Sequence, residues 1–126
     1  NHITIGRHPD RKDIHEELEF IIKNIDAPYL KARYNDDVLR AEQKFYIKEG
    51  FFTDGLYSCG IWMRWNEKRI NEAFDLWWQL ACQWSNFDQA QFVYAMHKSM
   101  VHIQDMPYGS PINNQYFKWI NHEVQK

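Results

Sequence analysis

Apolar residues recur along this chain in two periods, and each period predicts an element. Spacings of three and four give a helix one buried stripe, whereas alternation gives a strand one buried face. His2 to Ile5 alternates and reads as a short strand ending at Gly6. The His8-Pro9 step stops it, because proline offers no N–H to a ladder, and Asp10 stands where it can cap the next helix. From Lys12 to Ile25 the apolar positions Ile14, Leu18, Ile21, Ile22 and Ile25 trace one helical stripe. Asp26-Ala27-Pro28 breaks it. A short helix then covers Tyr29 to Arg33, and a longer one covers Asp36 to Glu49. In the longer helix Val38, Leu39, Ala41, Glu42, Phe45 and Tyr46 fall largely on one side. Gly50 supplies the stop.

Phe51 to Trp65 is the strongest strand signal. Tyr57, Cys59, Ile61 and Met63 alternate with Leu56, Ser58, Gly60, Trp62 and Arg64. Both faces are largely apolar, so a central, covered strand is expected. Gly60 in its middle predicts a close approach by another backbone or a ligand. Asn66 is expected to cap a helix from Glu67 to Trp84, whose stripe is Ile70, Ala73, Phe74, Trp77, Trp78 and Ala81. Ser85-Asn86 ends it, and Asp88 starts a helix carrying Phe92, Val93, Ala95, Met96 and Met100. Val101 to Ile103 reads as a short strand. Asp105 to Asn114, with Pro107, Gly109 and Pro111, reads as loop, and Gln115 to Val124 as a last amphipathic helix.

This order predicts an α/β fold, helix-rich with few short strands, in a single domain over 1–126. Three short strands make a poor independent sheet, and the chain opens on Asn1 rather than Met. The expectation is a chain processed or cut from a longer one, its sheet completed by a missing N-terminal part. The sequence contains no transmembrane run and no signal-peptide pattern.

Composition narrows the function classes. Hydrophobic residues make up 44% and aromatics 17%, with 6 tryptophans. Aromatics bury large areas, and Trp and Tyr also stack on sugars and bases, so the excess serves a core first and suits carbohydrate or nucleotide binding as well. Net charge is -2 with no basic stripe, which argues against a duplex nucleic acid partner. Cys59 and Cys82 have no metal-knuckle or redox spacing and read as small buried hydrophobes, with a single disulfide left open.

Three polar sets sit where α/β proteins place chemistry, at strand ends and helix starts. Arg7, His8 and Arg11 come directly after the first strand, and forked guanidinium donors there suit phosphate or carboxylate, although a capped surface turn explains them too. Glu16 and Glu17 complement the next helix's dipole and can pair with Arg7 or Arg11. His15 and Glu19 have metal-ligand spacing but no third ligand nearby. Asp54 and Gly55 lead into Ser58 and Gly60, small residues that let a ligand lie against a strand; tight packing under a helix needs the same residues. Asp88 is an excellent N-cap, and its carboxylate also suits a general base or an anchor for sugar hydroxyls, with Gln89 adding an amide contact. His97, His102 and His122 are scattered.

Taken in order, several of these segments resemble a known family. They are Arg7-His8-Pro9-Asp10-Arg11 with Glu16-Glu17, Gly50, Gly55 to Arg64, Phe74-Asp75-Leu76-Trp77-Trp78, and Ser85 to Gln89. The set, over about residues 5 to 90, is similar to the glycosyltransferase-like domain of the plant TOD and mucilage-related proteins, shared by bacterial and viral polysaccharide proteins. His15 stands where that family has tyrosine, and Phe87 where it has arginine or lysine, departures that bear on substrate detail. The resemblance implies the C-terminal, acceptor-side part of an A-type glycosyltransferase fold, acting on a nucleotide-sugar donor and a glycan or polysaccharide acceptor. It implies Asp88 and Gln89 as catalytic residues, and substrate contacts from Arg7, His8, Arg11, Asp54, Ser58, Gly60 and Arg64. A Mn or Mg ion is expected, with His122 as its ligand, although no Asp-x-Asp motif is found. The compartment would be cytoplasmic for a bacterial or viral chain and secretory for a plant-like one. The rival expectation is a non-catalytic glycan-binding or assembly module; a helical interaction domain without a ligand is a third.

Overall fold

A computed structural model of the chain describes residues 2–53, 55–107, 114–118 and 120. Eight elements run in chain order: β1 (His2–Arg7), α1 (Ile14–Lys23), α2 (Pro28–Lys31), α3 (Asp36–Lys48), β2 (Tyr57–Arg64), α4 (Lys68–Gln83), α5 (Asp88–Lys98) and β3 (His102–Asp105). The α/β expectation is met. No helix among the described residues is long and apolar enough to cross a membrane.

The sheet order is β2-β1-β3, with β1 antiparallel to β2 and parallel to β3. β1 is therefore the central strand. Its Ile3 and Ile5 are fully buried, as a period of two requires for one covered face. The expectation of a central, covered strand at Phe51–Trp65 is corrected. Regular structure begins only at Tyr57, β2 lies at one side of the sheet, and Trp62 and Met63 are exposed. Apolar residues on both faces signalled burial, but one face here forms the wall of an open cleft.

The β1–β2 register jumps within this strand. Ile5 pairs with Trp62, and the next residue, Gly6, pairs with Ser58, so Cys59, Gly60 and Ile61 bulge out of the ladder. A side chain at Gly60 would meet nothing within 4 Å. No other part of the described chain approaches closely there; the glycine lies in the bulge.

α5 is the core of the molecule. Every residue from Ala90 to Met96 is buried, because α5 packs against α4, α1, β2 and β3, and a helix covered on all sides must be buried all round. α1 and α3 bury narrower stripes, Ile14, Leu18 and Ile21 on one and Leu39, Glu42 and Tyr46 on the other. Gly50 ends α3 as expected. At φ 64° it lets its own N–H reach the Ile47 carbonyl and the Phe51 N–H reach that of Tyr46.

Several helix starts differ from expectation. Asp13, not Asp10, caps α1, its carboxylate accepting the His15 and Glu16 N–H groups at 2.8 and 2.9 Å. Glu67, not Asn66, precedes α4, while Asn66 accepts a hydrogen bond from the Asn71 amide. Phe87 holds the cap position of α5, and Asp88 is its first helical residue. At the described residues 114–118 the chain bends rather than coils. Asn114 Oδ1 accepts the Tyr116 and Phe117 N–H groups, so the helix expected from Gln115 does not form there, and the remainder of that segment, apart from Ile120, lies outside the described residues. Both cysteines are free thiols; Cys82 is exposed, against expectation, because it falls off the buried stripe of α4.

Candidate functional site

An aromatic cleft of about 470 Å³ lies between β2, α4 and the start of α5. Trp62 comes from β2; Phe74, Trp77, Trp78 and Ala81 come from α4; Asn86 and Asp88 come from the turn into α5. The rings brace one another. Trp62 lies 4.9 Å from Phe74, Phe74 lies 5.4 Å from Trp77, and Trp77 lies 5.1 Å from Phe92 of the core. Trp78 is 71% exposed and stands at the rim. The arrangement offers apolar faces with two polar side chains beside them, the usual composition of a small-molecule site.

Asp88 is held at this site from two directions. The Trp77 indole N–H donates to its backbone carbonyl at 3.1 Å. Its carboxylate accepts the N–H groups of Asp88 and Gln89, donors that the first helical turn leaves unused. The side chain reaches solvent, yet the surrounding protein removes enough water to push its carboxyl above the ordinary aspartate range, against those two hydrogen bonds. Cys59 lies within reach of the Asp88 charge. Burial foremost, and then that charge, push its thiol up, which favours the protonated form.

Arg64 lies over the Phe74 ring at 4.5 Å from its centre and bonds the Asn71 side chain, so it borders the cleft through Phe74. Ser58 is half-buried beside the bulge and Gly60 exposed within it; neither lines the cleft, and Gln89 is half-buried next to Asp88. Asp54 and His122 lie outside the described residues.

The first polar set is organised differently. Arg7 Nε pairs with Asp105 Oδ2 at 2.7 Å and its guanidinium lies over Tyr57. Arg11 pairs with the buried Glu17 and lies 4.1 Å from the centre of the Phe20 ring. This is the pairing expected for Glu17. His8 Nδ1 accepts the Asp10 and Arg11 N–H groups, which builds the turn after β1. Burial, and then the Arg11 charge, hold its imidazole below the usual histidine range. None of these residues lines the cleft. His15 Nε2 is engaged by the Phe51 carbonyl at 2.9 Å and its ring stacks on Phe52, so the His15 and Glu19 pair forms no ligand set.

No group of three or more His, Cys, Asp or Glu side chains gathers among the described residues in a way that fits a metal ion. The described residues therefore do not compose the Mn or Mg site that the resemblance implies.

Sequence reasoning missed Trp62, Trp78 and Asn86 as a group. One signal was present: neighbours on a helix stand about 100° apart, so Trp77 and Trp78 cannot both sit at the centre of one stripe. It also passed over Glu42, a carboxyl on the buried stripe of α3 that is fully enclosed. No known protein family, curated protein or solved structure matches this chain.

Proposed function

We propose that this domain binds a glycan in the cleft between Trp62 and Trp78 and adds to it a sugar from a nucleotide-sugar donor. The carrying observation is the Asp88 carboxyl at an aromatic cleft, with Asn86 beside it. Aromatic faces match the C–H faces of sugars, and a carboxylate and an amide match their hydroxyls. In the transfer an acceptor hydroxyl oxygen bonds to the anomeric carbon of the donor. The bond from that carbon to the diphosphate breaks, the nucleoside diphosphate leaves with the electron pair, and the hydroxyl proton passes to the Asp88 carboxylate. A carboxyl raised toward working pH is the better base for this step. The ordered resemblance to the TOD and mucilage-related domain supports the same reading.

The second reading is a glycan-binding module without transfer. One observation favours it: Arg7 and Arg11, the expected anion contacts, are already engaged by Asp105 and Glu17.

Titration calorimetry with an oligosaccharide panel, followed by a nucleoside diphosphate release assay over a nucleotide-sugar panel with Mn²⁺, separates the readings. Transfer is supported if the wild type binds and releases nucleoside diphosphate while Asp88→Asn binds without release. Binding with no release from any donor leaves the module. A wild type that binds no oligosaccharide refutes both.

A further inference from the structure

The turn that carries Asn86 and Asp88 is anchored by a buried polar cluster that the proposed chemistry does not use. Ser85 Oγ donates to Glu42 Oε2 at 3.1 Å and accepts the Phe87 N–H at 3.1 Å. Tyr46 donates its hydroxyl to Glu42 Oε1 at 2.8 Å. The Gln91 amide donates to the Ser85 carbonyl at 2.8 Å and also to Glu42. Glu42, Tyr46 and Gln91 are completely enclosed. Three donors thus meet one carboxyl that joins α3 to the turn and to α5, and none of the three is a cation.

We infer that Glu42 is a positioning residue for the cleft: its grip on Ser85 fixes the 85–88 turn, and a proton arriving on it loosens that grip. The reason lies in the charge on the acceptor. Hydrogen bonds to an ionised carboxylate are about twice as strong as those to a neutral carboxyl, so a proton on Glu42 weakens the bonds from Tyr46 and Ser85. Tyr46 is packed among Phe45, Phe51 and Tyr94, and Gln91 is tied to the Ser85 carbonyl. The Ser85 bond, at 3.1 Å longer than the 2.8 Å Tyr46 bond, is the one that gives. Once it loosens, the turn between Ser85 and Asp88 keeps its ties to Gln91 and Trp77 but loses its side-chain tie to α3, and the polar side of the cleft shifts. What the cleft binds rests on the function proposed above; the coupling itself does not.

The titratable neighbours can be separated. Facing Glu42 are Tyr46 from α3 and Tyr34 from the connection between α2 and α3; Tyr94 of α5 stands behind Tyr46, with Glu49 and Lys98 paired at its hydroxyl. The three phenols are all raised, chiefly by burial, and stay neutral through neutral pH. Glu42, raised by burial to about 7, and Asp88, which acts on Tyr34, are the groups near the turn that change charge.

The test tracks the Trp77 indole N–H resonance, which reports the Asp88 carbonyl, and the Glu42 carboxyl carbon, without ligand, from about pH 5 to about pH 9. Both signals should move together with a midpoint of about 7. Glu42→Gln should abolish the Trp77 step, and Asp88→Asn should keep it. In Ser85→Ala, which serves equally if Glu42→Gln fails to fold, Glu42 should still titrate while Trp77 no longer responds. Oligosaccharide affinity should rise by about threefold to tenfold across the same range, one hydrogen bond's worth. A Trp77 signal that stays still while Glu42 titrates, or that loses its step in Asp88→Asn, overturns the inference, as does a Glu42 that does not titrate. Coupled titration in a protein that binds no oligosaccharide sinks the glycan reading and leaves the positioning role standing.

Discussion

Replacing Glu42 by glutamine should flatten the pH dependence of stability. The side chain is fully enclosed, and burial raises its carboxyl from 4.5 to about 7 against the hydrogen bonds from Tyr46, Gln91 and Ser85. The folded chain therefore holds this proton longer than the unfolded chain does. Its contribution is complete below the unfolded value, falls as pH rises, and is lost once pH passes the folded value. Across that window the loss is about 3 kcal/mol, at about 1.4 kcal/mol per pH unit. Glutamine has no proton to lose and keeps one acceptor, so at about pH 5 the variant should be less stable by about 1 kcal/mol, one hydrogen bond. By about pH 8 the order should reverse, with the variant ahead by about 2 kcal/mol. Urea unfolding monitored by tryptophan fluorescence at a series of pH values reads this directly. Groups far from Glu42, such as the depressed His8, cancel in the difference between the two proteins. Curves that run parallel from acid to alkali would refute the coupling of this proton to folding.

Three further perturbations test other parts of the structure. Gly50→Ala meets no atom within 4 Å, so its cost is backbone alone at φ 64°, about 1–2 kcal/mol in thermal or urea unfolding; no measurable loss would show that α3 does not end there. Arg11→Ala strips the partner from the enclosed Glu17 and should cost about 3 kcal/mol at neutral pH, whereas a change within experimental error would show the pair to be solvated. Trp78→Ala should leave the melting temperature near the wild-type value, because the ring is 71% exposed, while weakening oligosaccharide binding by about 1–2 kcal/mol in calorimetry. Unchanged affinity would remove Trp78 from the site.

Periodicity carried the helices and their order. The stripes at Ile14, Leu18 and Ile21, at Leu39 and Tyr46, and at Ile70 and Ala73 are where spacing placed them, and Gly50 stops α3 by a backbone requirement that sequence expresses directly. Such a pattern says which side of an element is apolar. It does not say what will meet that side, and contact between distant segments is what tertiary structure supplies. Trp62 and Trp78 look like core residues in the sequence, but one stands on a side strand of the sheet and the other at the edge of the α4 stripe, so together they open a cleft. Glu42 looks like a polar interruption of an apolar stripe, and only the arrival of Ser85 and Gln91 from 43 and 49 residues later makes its burial tolerable. The central place of β1 was decided in the same way. Six residues cannot encode which strands will lie on either side of them; their place comes from β2 and β3 pairing with both edges while α5 packs against those two strands.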